Sequence, residues 1–565
     1  MSQIQLDEVI GKIKSPHLIS WQKDTDTDYT FELKRRRRVW NIKLRFQINF
    51  PYSLPSAYLL DSDMIGTVAH VNFEGHICVE SSDSLLWDYS RPVEVLECLL
   101  DKIVKLLDDS ILKVNRTELT DEYEGYFDCI SSSVNSFYEA TSILEYASLK
   151  VFQTNNRKNK SRPVLLNSKR KKFNDNYSNL EKDNNQVVNI IHMPLTEAVL
   201  PPNNNARISS TYVFDLIKLL SSKNKGLLDK ILRKEKPHTQ FFVLLSMPRT
   251  SGERSQVLLS FTTEKSMQHP LLEASSNWNV ELFLLARNNQ SYLLERGGAE
   301  NNLSNKKVAI VGCGSVGGEV SSMLAKAGVG ELTLIDYDLL NSDNIYRHRL
   351  GGLSLNYLPD KKTGKVRQPG KANALTSMMR IDFPYIKVNP KCQAFSAILK
   401  DKDFLAVDLV VVAVGSPIRN LEINKQLKEI GLNYVIFCWN EAAGIGGHSV
   451  SLNLDVSCLE CLYSNEEGFI NSCQLSLIKS GQKISKNLTG CAGTFTPFSY
   501  LDSSQTAALA SKHAVDMLLF GTHSKAASWK GDNHLGLKVT NRYEVIALKE
   551  EIELERQKGC GFCSE

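Results

Sequence analysis

Along residues 40–50 apolar and polar side chains alternate one for one. Trp40, Ile42, Leu44, Phe46, Ile48 and Phe50 alternate with Asn41, Lys43, Arg45, Gln47 and Asn49. A period of two predicts a half-buried antiparallel strand, ended by Pro51 and Pro55. A second extended run covers residues 57–60, and residues 92–107 read as a helix. Further on, strands are predicted over 187–191, 240–245 and 257–261, with a helix over 214–220. An apolar strand at 308–311 runs into Gly312, Gly314 and Gly317, then an amphipathic helix, then a strand ending at Asp336. A strand over 408–414 and a helix over 507–519 complete the pattern. Residues 155–172 break it: they are basic and polar, without an acid, and read as a linker. The division predicted is 1–150, a linker 151–186, a middle domain 187–298 and a carboxy-terminal domain 299–565.

Composition changes this picture little. The chain has 565 residues, enough for several domains, with 42% hydrophobic and 23% charged positions. A net charge of +4 gives no reason to expect nucleic-acid binding, and the basic run 34–38 reads as a solvated strand edge. No apolar run has the length of a membrane span and the start is not a signal peptide, so a cytoplasmic location is expected. Twelve cysteines in so long a chain fit reactive or metal-bound thiols better than a disulfide scaffold.

The glycine segment carries the first chemistry. Strand, glycine turn, helix and strand form a Rossmann-like nucleotide cradle, with phosphate on the free N–H groups of the helix start. Alone this pattern most often means a nicotinamide oxidoreductase, which remains an alternative. The residues beyond Asp336 argue against it. Asp338, Asn344, Arg347 and Lys371 come next, and Asn, Arg and Lys suit a triphosphate. AGVGELTLIDYD with the later N-x-x-R and G-K-A elements resembles the ThiF/MoeB superfamily of adenylating enzymes. The resemblance implies that Asp336 binds the ribose of ATP and that Asn344, Arg347 and Lys371 contact its phosphates. Arg296 falls near a phosphate-binding Arg of some relatives, but a surface charge is the preferred reading. The family's acid after the later strand is missing: Gly415-Ser416-Pro417 stands there. Magnesium is then left to Asp336, Asp338 or the phosphates.

A second motif lies far upstream. His70-Val71-Asn72 is followed by Gly75-His76-Ile77-Cys78, Trp87 and a helix. Strand, Pro-rich turn, strand, H-x-N, Cys, Trp and helix resemble the ubiquitin-conjugating enzymes, with Val71 in place of the usual Pro. The resemblance implies an α+β fold with Cys78 as the acyl-carrying thiol. An Asn amide such as that of Asn72 can stabilise the oxyanion of the transfer. His70 reads as structural, and strand geometry could turn His76 away from Cys78.

Cys491 lies between small residues in TGCAGTF, ahead of the helix at 507–519. By resemblance to activating enzymes it attacks the acyl-adenylate, with Cys473 as the competing nucleophile. Cys458-x-x-Cys461 and Cys560-x-x-Cys563 are two thiol pairs that read as a structural zinc site. A redox pair or a free tail are the alternatives.

Two thiols and one ATP site predict a relay. A protein carboxylate is adenylated, passed to Cys491, then to Cys78, then to a target lysine. A fused protein in this order resembles the ubiquitin-transferase-like proteins of bacterial CBASS antiphage operons. That resemblance implies a cGAS/DncV-like nucleotidyltransferase as acyl donor, a homodimer, and a role in priming antiphage signalling. An adenylyltransferase acting on a sulfur-carrier protein is the second alternative; it would not need Cys78.

Overall fold

The computed structural model describes residues 6–559 except 80–85, 131, 152–163, 168–185, 203–205, 356–357, 360–365, 384, 489–493, 522–523, 548, 554 and 558. The chain forms two compact units that meet in sequence at Asn289 and Gln290.

In the first unit a five-stranded sheet runs in sequence order: Leu18–Lys23, Asp28–Arg35, Arg38–Arg45, Ser56–Leu59 and His76–Ile77. All pairs are antiparallel. Trp40, Ile42 and Leu44 are fully buried, as their alternation predicts. The predicted strand runs too far, however. It ends at Arg45, Ile48 is fully exposed, and Phe46 and Phe50 pack edge to face at 5.0 Å across a turn. The alternation beyond Arg45 is thus a turn pattern with a chance period of two. The helix Pro92–Ile111 closes the sheet from one side with Leu96, Leu100, Ile103, Val104 and Leu107. Proline at its first turn costs no hydrogen bond there. The basic run is also more than a solvated edge: Arg35 and Arg36 reach the buried Asp108 at 3.5 and 3.1 Å.

The rest of this unit is a closed barrel. Its strands follow the order His238–Pro248, Arg254–Met267, Asn279–Arg287, Ser133–Ser136, Val164–Asn167, Glu145–Val151 and Gln186–Pro194. Ser133–Ser136 closes the ring by parallel pairing with Asn279–Arg287. The contacts therefore do not divide at residue 150 or set 151–186 apart as a linker. Strands on both sides of 150 belong to one barrel, and Val164–Asn167 lies inside the expected linker. Short strands with polar flanks carry too little periodicity to be read from sequence. One continuous apolar cluster joins the sheet and the barrel, holding both Trp40 and Val243. The junction is also bonded: Glu124 pairs with Arg287, and Asp121 accepts from Thr250.

The second unit is built on an eight-stranded sheet. Its order is Lys387–Lys391, Glu331–Ile335, Lys307–Val311, Leu409–Val412, Tyr434–Asn440, Gly446–Asn453, Lys525–Lys530 and Lys549–Glu553. The first five strands are parallel and the remainder antiparallel. From Lys307–Val311 the chain first winds outward to Lys387–Lys391. It then crosses back to Leu409–Val412 on the other side of its starting strand. The carboxyl ends of Lys307–Val311 and Leu409–Val412 thus flank the topological switch point, where open α/β sheets bind ligands. The long helix Tyr500–Phe520 packs across the helix Ser315–Ala327 and buries Ala507, Ala510 and Ala514. No helix among the described residues is long and apolar enough to cross a membrane.

Candidate functional sites

The three glycines of the nucleotide motif do different things. Gly312 has φ +89°, and a Cβ there would lie 2.8 Å from the carbonyl oxygen of Ala413. Gly317 lets the helix approach the turn: a Cβ would stand 1.9 Å from the oxygen of Gly312. Gly314, which caps the helix Ser315–Ala327, has open space where its Cβ would point. The first two are required by the protein itself, and the third leaves room for something else.

Asp336 holds this turn from below. Its carboxylate accepts the N–H of Cys313 at 2.7 Å and that of Asp338 at 2.8 Å. Burial pushes its pKa up, against the lowering effect of those two donors. Lys371 opens the helix Lys371–Asp382 and places Nζ 2.8 Å from the Asp338 carboxylate. Asp336, Asp338 and Lys371 are thus gathered at one end of the sheet. Arg347 lies over the ring of Phe498 at 5.1 Å. Asn344 is turned to a local task, its Oδ1 accepting the N–H of Asn341 in a reciprocal cap. Gly415, where an acid was expected, has φ +74° and open space around it, across the switch point from Gly312. Arg296 ends a helix as an exposed charge.

Sequence reasoning missed His348. It is buried, and its Nδ1 accepts the N–H of Leu350 at 3.0 Å. The ring proton therefore sits on Nε2, which donates to the carbonyl of Cys313 at 2.6 Å. Burial holds its pKa down at about 4, so the imidazole is a neutral strut under the glycine turn.

Downstream, the turn after Tyr434–Asn440 gathers the segment that carries the second expected thiol. Glu441 accepts the N–H of Leu477, and Ala443 donates its N–H to the carbonyl of Pro497. Ala443 needs φ +61° to do so. Ser499 and Asp502 then form a capping box for the helix Tyr500–Phe520. Cys491 itself lies outside the described residues. Cys473, its competitor, has its thiol pushed up to about 11 by burial, which argues against a reactive thiolate.

Cys458 and Cys461 are buried with sulfurs 3.8 Å apart. Cys560 and Cys563 lie outside the described residues. Among the described residues no group of three or more metal-ligating side chains occurs. Gly559 packs against the turn that follows the first pair: a Cβ on it would meet the oxygen of Asn465, four residues after Cys461, at 2.1 Å.

In the first unit, Cys78 follows the short strand His76–Ile77 and is exposed. Its N–H donates to the carbonyl of His70 at 2.8 Å. His70 has φ +59° and is fixed by two carboxylates, Glu122 at 2.6 Å and Glu118 at 3.0 Å. The Glu122 bond is the main reason that its pKa rises to about 8. His70 is structural, as expected. Asn72 Oδ1 accepts the N–H groups of Glu74 and His76, and its amide donates to Asp128 at 2.7 Å. One amide N–H of Asn72 remains beyond that bond. The Cys78 thiol is pushed up, first by burial and then by the charges of Glu122 and Asp128. It opens on a cavity of about 470 Å³ that His76 also lines. Because both line this one cavity, His76 is not turned away from the side of the thiol.

Residues 286–524 match the ThiF family and residues 15–134 match prokaryotic E2 family B. The chain is 27% identical over 301 residues to the ATP-dependent ubiquitin transferase-like protein Cap2 of Pseudomonas aeruginosa, covering 52% of this chain and 49% of that protein. It is 25% identical to the Cap2 protein of Escherichia coli, covering 50% and 44%. The molybdopterin-synthase adenylyltransferase of Escherichia coli is 33% identical over 19% of this chain and 36% of its own. The chain spans about half the length of the Cap2 relatives it matches. Among solved structures, that of Escherichia coli MccB with ATP matches 46% of this chain and 68% of its own, with a TM-score of 0.31 and 19% identity. The resemblance to bacterial ubiquitin-transferase-like proteins read from the motifs is thus met by the relatives, and the chain carries, in order, a domain of prokaryotic E2 family B and a domain of the ThiF family.

Proposed function

We propose that the chain is an ATP-dependent protein-conjugating enzyme with both thiols of the relay on one polypeptide. The observation that carries this is the pairing of an exposed Cys78 in an E2-type hairpin with a glycine turn at the switch point of a ThiF-type sheet. ATP supplies the activating group for a protein carboxylate. Gly314 and the helix start receive phosphate, Asp336 the ribose, and Lys371 and Arg347 the negative charge. Asp338, beside Lys371, is the carboxylate to share a magnesium ion in place of the acid missing at Gly415.

The chemistry is successive acyl transfer. The donor carboxylate attacks the α-phosphorus and pyrophosphate leaves. The thiolate of Cys491 attacks the acyl carbon, and AMP leaves. The Cys78 sulfur takes the acyl group and frees Cys491. A lysine amine of the target then displaces Cys78 and loses its proton. Asp128, bonded to Asn72, is the carboxylate beside the thiol that can take that proton, and the remaining Asn72 N–H can steady the oxyanion. Neither alternative reading, sulfur-carrier adenylation or nicotinamide redox chemistry, gives Cys78 a task. By resemblance, the acyl donor is a cGAS/DncV-like nucleotidyltransferase and the enzyme a homodimer.

Structural zinc belongs to the same reading. Cys458 and Cys461, buried with sulfurs 3.8 Å apart, would supply two thiolates to hold it. The close approach of Gly559 to Asn465 supports bringing Cys560 to them.

The relay is tested with ATP and the nucleotidyltransferase as donor, reading reducible adducts. Cys491→Ala should abolish both thioesters, and Cys78→Ala should leave only the first. Charging of Cys78 in Cys491→Ala would show that the relay is wrong.

A further inference from the structure

We infer that the loop joining the barrel strands Arg254–Met267 and Asn279–Arg287 forms a site for an uncharged amide, the backbone of an extended segment of a partner protein. The loop encloses a cavity of about 400 Å³, in the range of pockets that hold a ligand group. The relay gives the barrel no task, so the site goes beyond it. Two donors mark the place. His269 is 2% exposed and Trp278 5%, and both line the cavity. His269 Nδ1 accepts the N–H of Leu271 at 3.2 Å, which puts the ring proton on Nε2. Burial holds this imidazole down at about 3, so it is a neutral donor at ordinary pH. The indole of Trp278 offers a second N–H and no acceptor. Among the described residues neither N–H has a hydrogen-bond partner. Buried donors without a protein acceptor take one from outside.

Both rings are fixed by packing. The ring of Phe241 lies 4.4 Å from the imidazole and 5.7 Å from the indole, centroid to centroid. The donors are therefore set before a ligand arrives. The rest of the wall says which acceptor suits them. Gln268 and Ser275 are uncharged, and among the described residues lining the cavity Glu273 is the single charge. Two neutral N–H groups match a carbonyl oxygen. Neither brings a positive charge, and the exposed Glu273 carboxylate disfavours a second negative one. The same carboxylate can accept an N–H from the ligand. An amide carries both a carbonyl oxygen and an N–H. An extended peptide presents such amides in series with a side chain between them, and Met267 and Leu272 supply apolar surface for that side chain. Leu272 is 43% exposed, so the wall can be reached from outside.

The full chain labelled with nitrogen-15 tryptophan gives an indole N–H signal for each of its six tryptophans, and Trp278→Phe identifies the one that belongs to the site. N-acetyl-leucine N-methylamide should shift that signal saturably and leave the others in place. N-acetyl-leucine, with a carboxylate where the methylamide stands, should bind several-fold more weakly. Glu273→Gln changes an exposed side chain and should remove most of that difference. His269→Phe keeps a ring against Phe241 but no donor, and should weaken the methylamide roughly threefold or more. No shift of the Trp278 signal up to the solubility of the methylamide would overturn the site. Equal binding of the two probes by the parent chain, or undiminished methylamide binding in His269→Phe, would overturn it as well. Where His269→Phe fails to fold, the comparison of the two probes in the parent and in Glu273→Gln decides alone.

Discussion

Glu441 accepts the backbone N–H of Leu477 through the same Oε1 that receives the imidazole N–H of His448, each at 3.1 Å. The other ring nitrogen of His448 is bonded to Ser528 Oγ at 2.8 Å. Two residues along, Ala443 binds the carbonyl of Pro497. One turn therefore grips the chain on both sides of Cys491. Glu441→Ala should remove one grip and leave His448 short of a partner, at a cost of about 1–3 kcal/mol. Thioester formation on Cys491 should fall by roughly tenfold or more. ATP–pyrophosphate exchange should change little, because the glycine turn is untouched. Glu441→Gln keeps the acceptor oxygen and should recover most of the thioester. Equal loss of both activities in Glu441→Ala would show that the residue acts on the fold as a whole.

The glycines of the nucleotide turn should respond in opposite ways. Gly317→Ala drives a Cβ against the oxygen of Gly312 and should destabilise the ThiF domain by about 1–3 kcal/mol or more, read as a lower melting temperature. Gly314→Ala meets nothing within the protein and has an ordinary backbone angle. Its melting temperature should stay near that of the parent while ATP binding weakens, read by calorimetry. Unchanged ATP affinity in Gly314→Ala would remove the open face of Gly314 from the phosphate site.

Two histidines should set opposite arms of the pH–stability profile. His348 titrates near 4 in the fold and near 6.5 when unfolded, so the unfolded chain binds more protons between those values. Its contribution is present above 6.5 and is lost as pH falls towards 4. His70 titrates near 8 in the fold. Its contribution is present below 6.5 and is lost as pH rises through 8. Urea titrations of His348→Gln and His70→Gln should each reduce one arm and leave the other, and part of the acid arm should persist in His348→Gln because burial also holds His192 and His269 down at about 3.

The thiol of Cys78 is disfavoured as thiolate by burial and by Glu122 and Asp128. Its alkylation by iodoacetamide, followed on the peptide that contains it, should therefore reach half-maximal rate above the usual thiol range. Glu122→Gln should move that midpoint down. An upward or absent shift would show that Glu122 does not act on the thiol through its charge.

The local geometry of the glycine turn and of the strand at Trp40 was legible in the sequence and the architecture only partly so. Gly312, Gly317 and Asp336 occupy the places their spacing implied, because a tight turn between strand and helix leaves little choice of geometry. Trp40, Ile42 and Leu44 alternated visibly because one face of their strand meets water. The barrel was not legible. Ser133–Ser136 and Val164–Asn167 are each four residues long, and their partners lie far away in the chain. His348 was missed because a buried histidine bonded to backbone on both sides leaves no spacing rule. Asn344 looks like a phosphate ligand in sequence, yet its side-chain oxygen caps its own turn, a role only coordinates reveal.

The parallel pairing of Ser133–Ser136 with Asn279–Arg287 also orders events during synthesis. A ring whose closing partner is its last strand cannot be completed until residue 287 has been made. Because the sheet that leads into Cys78 shares its apolar core with that ring, this thiol acquires its final setting only when the ring closes. The second compact unit begins at Gln290, directly after that point in the chain. The unit that carries Cys78 can thus be completed before the unit that carries the glycine turn has been made.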